Sequence, residues 1–364
     1  MTLLPPVTRR FLLFLGLCVV IPATAEDLAS RVEAAWKSSG APAVAAAEFD
    51  AGRILDRVEV GVRRADEAAA VGAEDLWHIG SDGKAMTATL IARLVERKQL
   101  TWDTTVAEVF GARGKHFHPK AARITVRQLL NHTAGLPRNP SGELTTQARE
   151  DGDRQIRKQR LRVVDEALAG EPRTPPGTHY AYSNTGYIIA GAVVEQTLGE
   201  TWEKAIEDEV FAPLGITSAG SGGPVGNSQP RGHRVSPDGT RRPVGESFDG
   251  DNPAIYGPAG GIHLSLGDWV KFLQEHLRGH QGKGKLLSKD TYRELHRPAL
   301  DHYAMGWVVT DDGEVIQHDG SNTFWFASAW LDLKKGRGVA IIANDAATET
   351  GPALHEAATS LLKR

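Results

Sequence analysis

A serine followed three residues later by a lysine is the first arrangement in this chain that can do chemistry, and it occurs at Ser81-Asp82-Gly83-Lys84. Residues three apart on a helix share a face, with Cβ atoms roughly 5–6 Å apart, so the amine can reach the hydroxyl. A serine is a poor nucleophile until an adjacent base takes its proton. Lysine becomes such a base when burial and the positive end of a helix dipole favour its neutral form. The same helix start aims a backbone N–H at the negative charge that develops on an attacked carbonyl. The spacing alone is weak, because Ser360-Leu361-Leu362-Lys363 repeats it on what reads as the surface of a terminal helix. Ser81 differs in its setting: an apolar approach, Trp77-His78-Ile79, then Gly80, then a long helix with one apolar face.

Two further clusters hold side chains suited to the same reaction. Tyr182-Ser183-Asn184 follows Pro175-Pro176-Gly177 and opens a helix. A tyrosine beside a serine–lysine pair can carry a proton to a leaving group and later activate water. The amide of Asn184 both donates and accepts, which suits a substrate amide or Lys84. His318-Asp319-Gly320 ends a strand and leads into Phe324. Glycine at such a position often marks a close backbone approach by a ligand, and the imidazole can orient a carboxylate or polarise the site. Other candidates read as structure. His116-Phe117-His118 lacks the carboxylate partners of a metal site. Phe324-Trp325-Phe326 reads as buried strand, and Gly220 to Gly226 as a flexible loop without the strand-to-helix setting of a phosphate cradle.

The elements that must position these groups follow from periodicity. Leu28 to Ser39 reads as a helix closed by Gly40. Ala43 to Phe49 and Ile54 to Val60 read as a hairpin turned at Asp50-Ala51-Gly52. Asp82 to Lys98 is helical, with Met86, Leu90, Ile91, Leu94 and Val95 on one face. Between about Thr101 and Leu295, helices such as Ser183 to Leu198 and Leu266 to Leu277 alternate with Gly- and Pro-rich loops, Asn139 to Glu143 among them. Gly306 to Thr310, Glu314 to His318, Phe324 to Leu333 and Gly338 to Ala343 read as consecutive antiparallel strands. Pro352 to Leu362 closes the chain as a helix. The expected class is α+β: one antiparallel sheet built from both chain ends and flanked by helices, with a mostly helical insertion. The sheet part is expected at about 26–98 and 296–364, and the insertion at about 99–295.

Taken in order, Ser81-x-x-Lys84, Tyr182-Ser183-Asn184 and His318-x-Gly320 resemble the three active-site boxes of serine β-lactamases and DD-peptidases, best in the class C-like branch with its related esterases. Leu129-Leu130-Asn131-His132-Thr133-Ala134-Gly135-Leu136 is similar to that branch's LLxHTSGL segment, and Ala259-Gly260-Gly261-Ile262-His263-Leu264-Ser265 to its AGGLxS segment. The resemblance spans about Val32 to the C-terminus and implies a β-lactamase/transpeptidase-like fold. It implies that Ser81 is acylated, that Lys84 and Tyr182 share the proton transfers, and that Asn184 binds the substrate amide. The backbone N–H groups of Ser81 and Ser321 would form the oxyanion hole, near His318 and Gly320. The third box usually reads K-T-G in β-lactamases, and here it reads His318-Asp319-Gly320. A lysine that would attract a β-lactam carboxylate is therefore missing. The expected activity is hydrolysis of a D-amino-acid peptide or small ester in preference to a β-lactam. The alternatives are a non-turnover acyl trap or ligand sensor, and a true β-lactamase. No cofactor and no metal are implied.

The first 25 residues read as a secretory signal. Arg9 and Arg10 precede the apolar run Phe11 to Ile21, and Ala23-Thr24-Ala25 supplies an A-x-A cleavage site. The run falls short of the roughly 20 apolar residues of a membrane span. Thr8 to Leu12 also resembles a twin-arginine signal, so the route stays open. The one cysteine, Cys18, lies in this stretch after the large Leu17, which argues against a lipid anchor. Cleavage after Ala25 would leave a cysteine-free chain whose stability comes from its core, in the periplasm or outside the cell. That chain carries 40 basic and 45 acidic residues, a net −5 without basic blocks, which leaves nucleic acid unsupported as a partner. A small molecule or peptide is the expected partner, with no stable membrane anchor after signal cleavage.

Overall fold

Residues 27–363 are described by a computed structural model. The expected leader, its cut after Ala25 and Cys18 lie outside the described residues. The first helix, Leu28–Ser39, starts where the Asp27 carboxylate accepts the Ser30 N–H at 2.8 Å and stops at Gly40 in the left-handed region. Strands β1 (Ala43–Asp50) and β2 (Ile54–Gly61) form the expected hairpin. Next come β3 (Leu76–His78), β4 (Gly220–Ser221), β5 (His233–Val235), β6 (Arg241–Pro243) and β7 (Ile262–Ser265). The last four are β8 (Val308–Val309), β9 (Val315–Ser321), β10 (Phe326–Asp332) and β11 (Arg337–Ala343).

One antiparallel sheet runs β2-β1-β11-β10-β9-β8, so the two chain ends interlock along β1 and β11. Both faces are covered. Val44, Ala46, Val339 and Ile341 meet the helices Leu28–Ser39 and Thr350–Leu362 through Val32, Leu354 and Leu361. Ala43, Ala45, Ala47 and Phe49 point the other way, into a larger core shared with Leu90, Ile91, Trp269 and Leu273. Alternation along β1 thus feeds two cores, which is why its sequence is nearly all apolar and small. The class is α+β, with helices on both faces of the antiparallel sheet. A second, three-stranded sheet, β3-β7-β4, lies at the approach to Ser81.

Several boundaries differ from expectation for local reasons. The strand expected from Gly306 begins at Val308, because Gly306 has φ +86° and a Cβ there would meet Ala85 Cα at 2.6 Å. The strand expected from Phe324 begins at Phe326, because the Asn322 side-chain oxygen captures the N–H groups of Phe324 and Trp325, both at 3.1 Å. Residues Asn139 to Glu143 are only partly loop: the Ser141 hydroxyl accepts the Leu144 N–H and starts the helix Gly142–Asp151. Gly220 and Ser221 form β4 rather than loop, pairing with His263 and Ile262. Among the described residues, no helix is long and apolar enough to cross a membrane.

Candidate active site

Ser81 sits in a tight 3-10 turn, Gly80–Asp82, that runs directly into the helix Gly83–Glu96. The turn is pressed against the end of β9. A Cβ on Gly80, which has φ +52°, would lie 2.4 Å from the Ser321 nitrogen, and one on Gly320 would lie 2.0 Å from the Ile79 carbonyl oxygen. Only glycine permits this contact. It sets the backbone of Ser321 beside that of Ser81, the pairing an oxyanion hole of these two N–H groups requires.

Lys84 occupies the first turn of the helix and is fully buried. Its Nζ donates to Ser81 Oγ at 3.0 Å and to the carbonyl of Ala259. Burial, reinforced by the nearby Arg138 charge and opposed by Asp82, pushes its pKa well below the ordinary lysine value. The amine is thereby shifted toward the base form that serine activation needs. The Tyr182 hydroxyl donates to Ser81 Oγ at 2.8 Å from the other side. Burial raises the phenol's pKa despite that bond to Ser81, so the tyrosine holds its proton. Three side chains from distant segments therefore converge on one oxygen.

The remaining expected residues divide. Asn184 lies beside Tyr182 at the start of the helix Asn184–Leu198, but its amide donates to the Asn139 side chain at 2.8 Å rather than to Lys84. His318 is buried, with Nε2 3.2 Å from the Tyr303 hydroxyl and Nδ1 without a partner. Burial and the Lys84 charge push its pKa down to about 4, so the imidazole is neutral near pH 7. Asp319 alternates to the opposite face of the sheet. There it accepts from Ser328 Oγ at 2.6 Å and faces His355 at 3.5 Å, directed away from the serine. Asp82 is buried with both carboxylate oxygens unpartnered, and burial raises its pKa well above the usual range.

Other residues shape the site without having been singled out for a role. His132, at φ +60°, accepts the Ser183 N–H on Nδ1 at 3.1 Å, and its ring lies 4.3 Å from that of Tyr182 and 4.6 Å from that of Tyr303. It belongs to the stretch that resembles the LLxHTSGL segment, which was the available signal. Behind the serine, the Gly80 N–H donates to His78 Nδ1 at 3.1 Å, so the ring hydrogen is on Nε2, which donates to Asp251 at 2.8 Å. The second oxygen of Asp251 accepts the Asn322 amide at 2.8 Å. This buried brace ties the residue before Ser81 to the residue after Ser321. Replacing Asp251 with asparagine sets an amide hydrogen against one of two donors. It is expected to lower kcat for an activated ester roughly 10- to 100-fold with little change in KM, the signature of displaced oxyanion donors. A proportional rise in KM with kcat intact would place the brace outside the chemical step. Among the described residues, no group of three or more His, Cys, Asp or Glu side chains suits a metal ion.

A serine–lysine–tyrosine cluster at the seam of an antiparallel sheet and a helical body defines the β-lactamase/transpeptidase-like class of fold. A family profile described as Beta-lactamase matches residues 28–363, and the chain belongs to that family. Penicillin-binding protein 4 of Amycolatopsis lactamdurans is 32% identical over 186 residues, covering 51% of this chain and 46% of that protein. The chain spans about half the length of the curated relatives it matches. The octameric penicillin-binding protein homologue from Pyrococcus abyssi superposes with a TM-score of 0.75 at 21% identity, over 93% of this chain and 77% of that one. A D-stereospecific amidohydrolase from a Streptomyces species gives 0.71 at 24% identity, over 92% and 98%. At these identities the two structures speak to fold.

Proposed function

We propose that the protein is an exported serine hydrolase that cleaves an ester or amide through an acyl-Ser81 intermediate, with D-amino-acid peptides and small esters preferred over β-lactams. The observation that carries this reading is the convergence of Lys84 Nζ and the Tyr182 hydroxyl on Ser81 Oγ, at 3.0 and 2.8 Å. Lys84 accepts the serine proton as Oγ bonds to the substrate carbonyl carbon. Tyr182 passes its proton to the leaving group as the old bond breaks and is reprotonated by Lys84, and the N–H groups of Ser81 and Ser321 hold the oxyanion. Water then attacks the acyl carbon, one of its protons returns to Oγ as the Oγ–acyl bond breaks, and the acyl group departs as an acid. The preference against β-lactams is supported by the third box, where a buried imidazole held neutral stands in place of a cation. The fold shared with a D-stereospecific amidohydrolase is compatible with a D-amino-acid substrate. Export is supported by the order of charge, apolar run and small residues before Glu26.

A fluorophosphonate probe is expected to label the wild type and to leave Ser81→Ala unlabelled. Labelling of the alanine variant at the wild-type level ends the proposal. In parallel assays on a p-nitrophenyl ester, an acyl-D-Ala-D-Ala peptide and a chromogenic cephalosporin, sustained turnover is expected on the first two. A burst without turnover on all three identifies an acyl trap instead.

A further inference from the structure

Beside Tyr182 stands a cation that no carboxylate among the described residues neutralises. Arg138 is exposed, and its guanidinium carbon lies 5.0 Å from the centre of the Tyr182 ring. Among the described residues, no carboxylate lies within ion-pair distance of it. Asp301, whose charge acts on the neighbouring Tyr180, is also beyond that reach. The backbone of Arg138 is fixed, because its carbonyl accepts the N–H groups of Asn184 and Thr185 at 2.7 and 3.3 Å and so caps the helix that follows Tyr182. The side chain therefore springs from backbone anchored by the same helix start that places the tyrosine, and its guanidinium lies over the Tyr182 ring.

The other ionisable groups facing the serine leave this charge unopposed. Lys84, His132 and His318 are each biased by burial toward their neutral forms, and Asp82 toward its neutral acid. Asp319 turns to the far face of the sheet and is occupied by Ser328 and His355. The guanidinium is the group beside Tyr182 that burial does not drive toward neutrality, and a positive charge there attracts an anionic substrate. The position of that charge says which part of the substrate it meets. In the acylation step the Ser81 Oγ–carbon bond forms and the carbon–nitrogen bond breaks; Lys84 takes the Oγ proton, Tyr182 gives its own to the leaving amine, and Lys84 then restores it. The leaving amine thus lies against Tyr182, the residue whose ring carries the guanidinium.

We propose that Arg138 reads a free carboxylate on the leaving group, making it the specificity-determining residue for peptides that end in an unblocked residue. The proposal rests on the serine-hydrolase reading of the site. It assigns the anion-recognising role to the segment before the helix Asn184–Leu198 and not to the third box. A guanidinium presents paired donors that match a carboxylate, which lysine does not.

The test compares two substrates that share one scissile bond, acyl-D-Ala-D-Ala and its C-terminal amide, on the wild type, Arg138→Gln and Arg138→Lys. The wild type is expected to favour the free acid in kcat/KM by about 10- to 100-fold, the range of one charge-assisted interaction. In Arg138→Gln the ratio is expected to fall to about one, chiefly through KM for the acid, with Arg138→Lys between the two. Because Arg138 also acts on Lys84, both substrates can slow in the variants, and the ratio isolates recognition from that effect. An equal loss on both substrates, or a wild type indifferent to the carboxylate, overturns the assignment. Turnover of neither peptide by an enzyme that still labels at Ser81 overturns it while sparing the serine-hydrolase reading. Absence of labelling removes that reading itself. The helix-capping contact is made by the backbone, so the glutamine variant keeps it.

Discussion

Replacing Lys84 with arginine is expected to slow acylation of Ser81 by about 10²- to 10⁴-fold, the range of a lost general base, although a long basic side chain is retained. The proposed mechanism requires at this position an amine that can be neutral. Lys84 is fully buried and its pKa is driven down by burial first and by Arg138 second. A guanidinium stays protonated at every accessible pH and cannot take the serine proton. The pH dependence follows in sign. The neutral amine is the active form, so the wild-type acylation rate should be sustained at neutral pH and fall as pH drops through the depressed lysine pKa. The arginine variant should show no such limb. Pre-steady-state release of p-nitrophenol across pH measures this directly. Arginine is also larger than the buried site allows, so Lys84→Met serves as the better-fitting companion. It should fold with a native circular-dichroism spectrum and be equally slow. Acylation within tenfold of the wild type in the methionine variant would remove the amine from the mechanism.

Gly320→Ala is expected to damage both activity and stability. The added methyl would sit 2.0 Å from the Ile79 carbonyl oxygen and 2.5 Å from an Asp82 carboxylate oxygen, and one of those contacts is with backbone. Relief requires β9 to move away from the turn that carries Ser81, which separates the N–H groups of Ser81 and Ser321. Loss of a properly placed oxyanion donor costs about 10²- to 10³-fold in kcat. Overpacking of this kind costs about 1–3 kcal/mol or more. Gly52→Ala is the matched control, since its nearest neighbour would be the Asp50 side chain at 3.4 Å and its φ is not positive. Thermal melting and ester turnover of the two variants should diverge sharply. Similar behaviour of both would mean that the contact between β9 and the nucleophile turn is not what aligns the site.

The parts of this arrangement that could be read from sequence are those with local pattern. Near-continuous apolar runs mark β1 and β11, because each strand feeds buried layers on both sides and leaves little room for polar residues. Ser81, Lys84 and Tyr182 stand out because the short motifs that hold them, each weak alone, follow one another in the order of the family's active-site boxes. Asp251 and Asn322 carry no such mark. Asp251 lies 173 residues from His78 and 71 from Asn322, in a loop without period. Arg138 is one unremarkable arginine among many until its position over Tyr182 is known. Strand starts at Val308 and Phe326 depended on a left-handed glycine and on one asparagine oxygen. Neither alters hydropathy.

The pairing of β1 with β11 has a consequence for the order in which the surroundings of Ser81 assemble. The Ala43 N–H is bonded to Asn344, 301 residues further on, and the strand that completes the Ser81 environment, β9, is nearly as remote. Loop closure over such a span is entropically costly and slow to find. A growing polypeptide that has emerged from the ribosome past Ser81 owns the nucleophile but lacks Ser321. The backbone contact that sets Ser321 beside Ser81 therefore waits for β9 to dock, whatever has already formed around the serine.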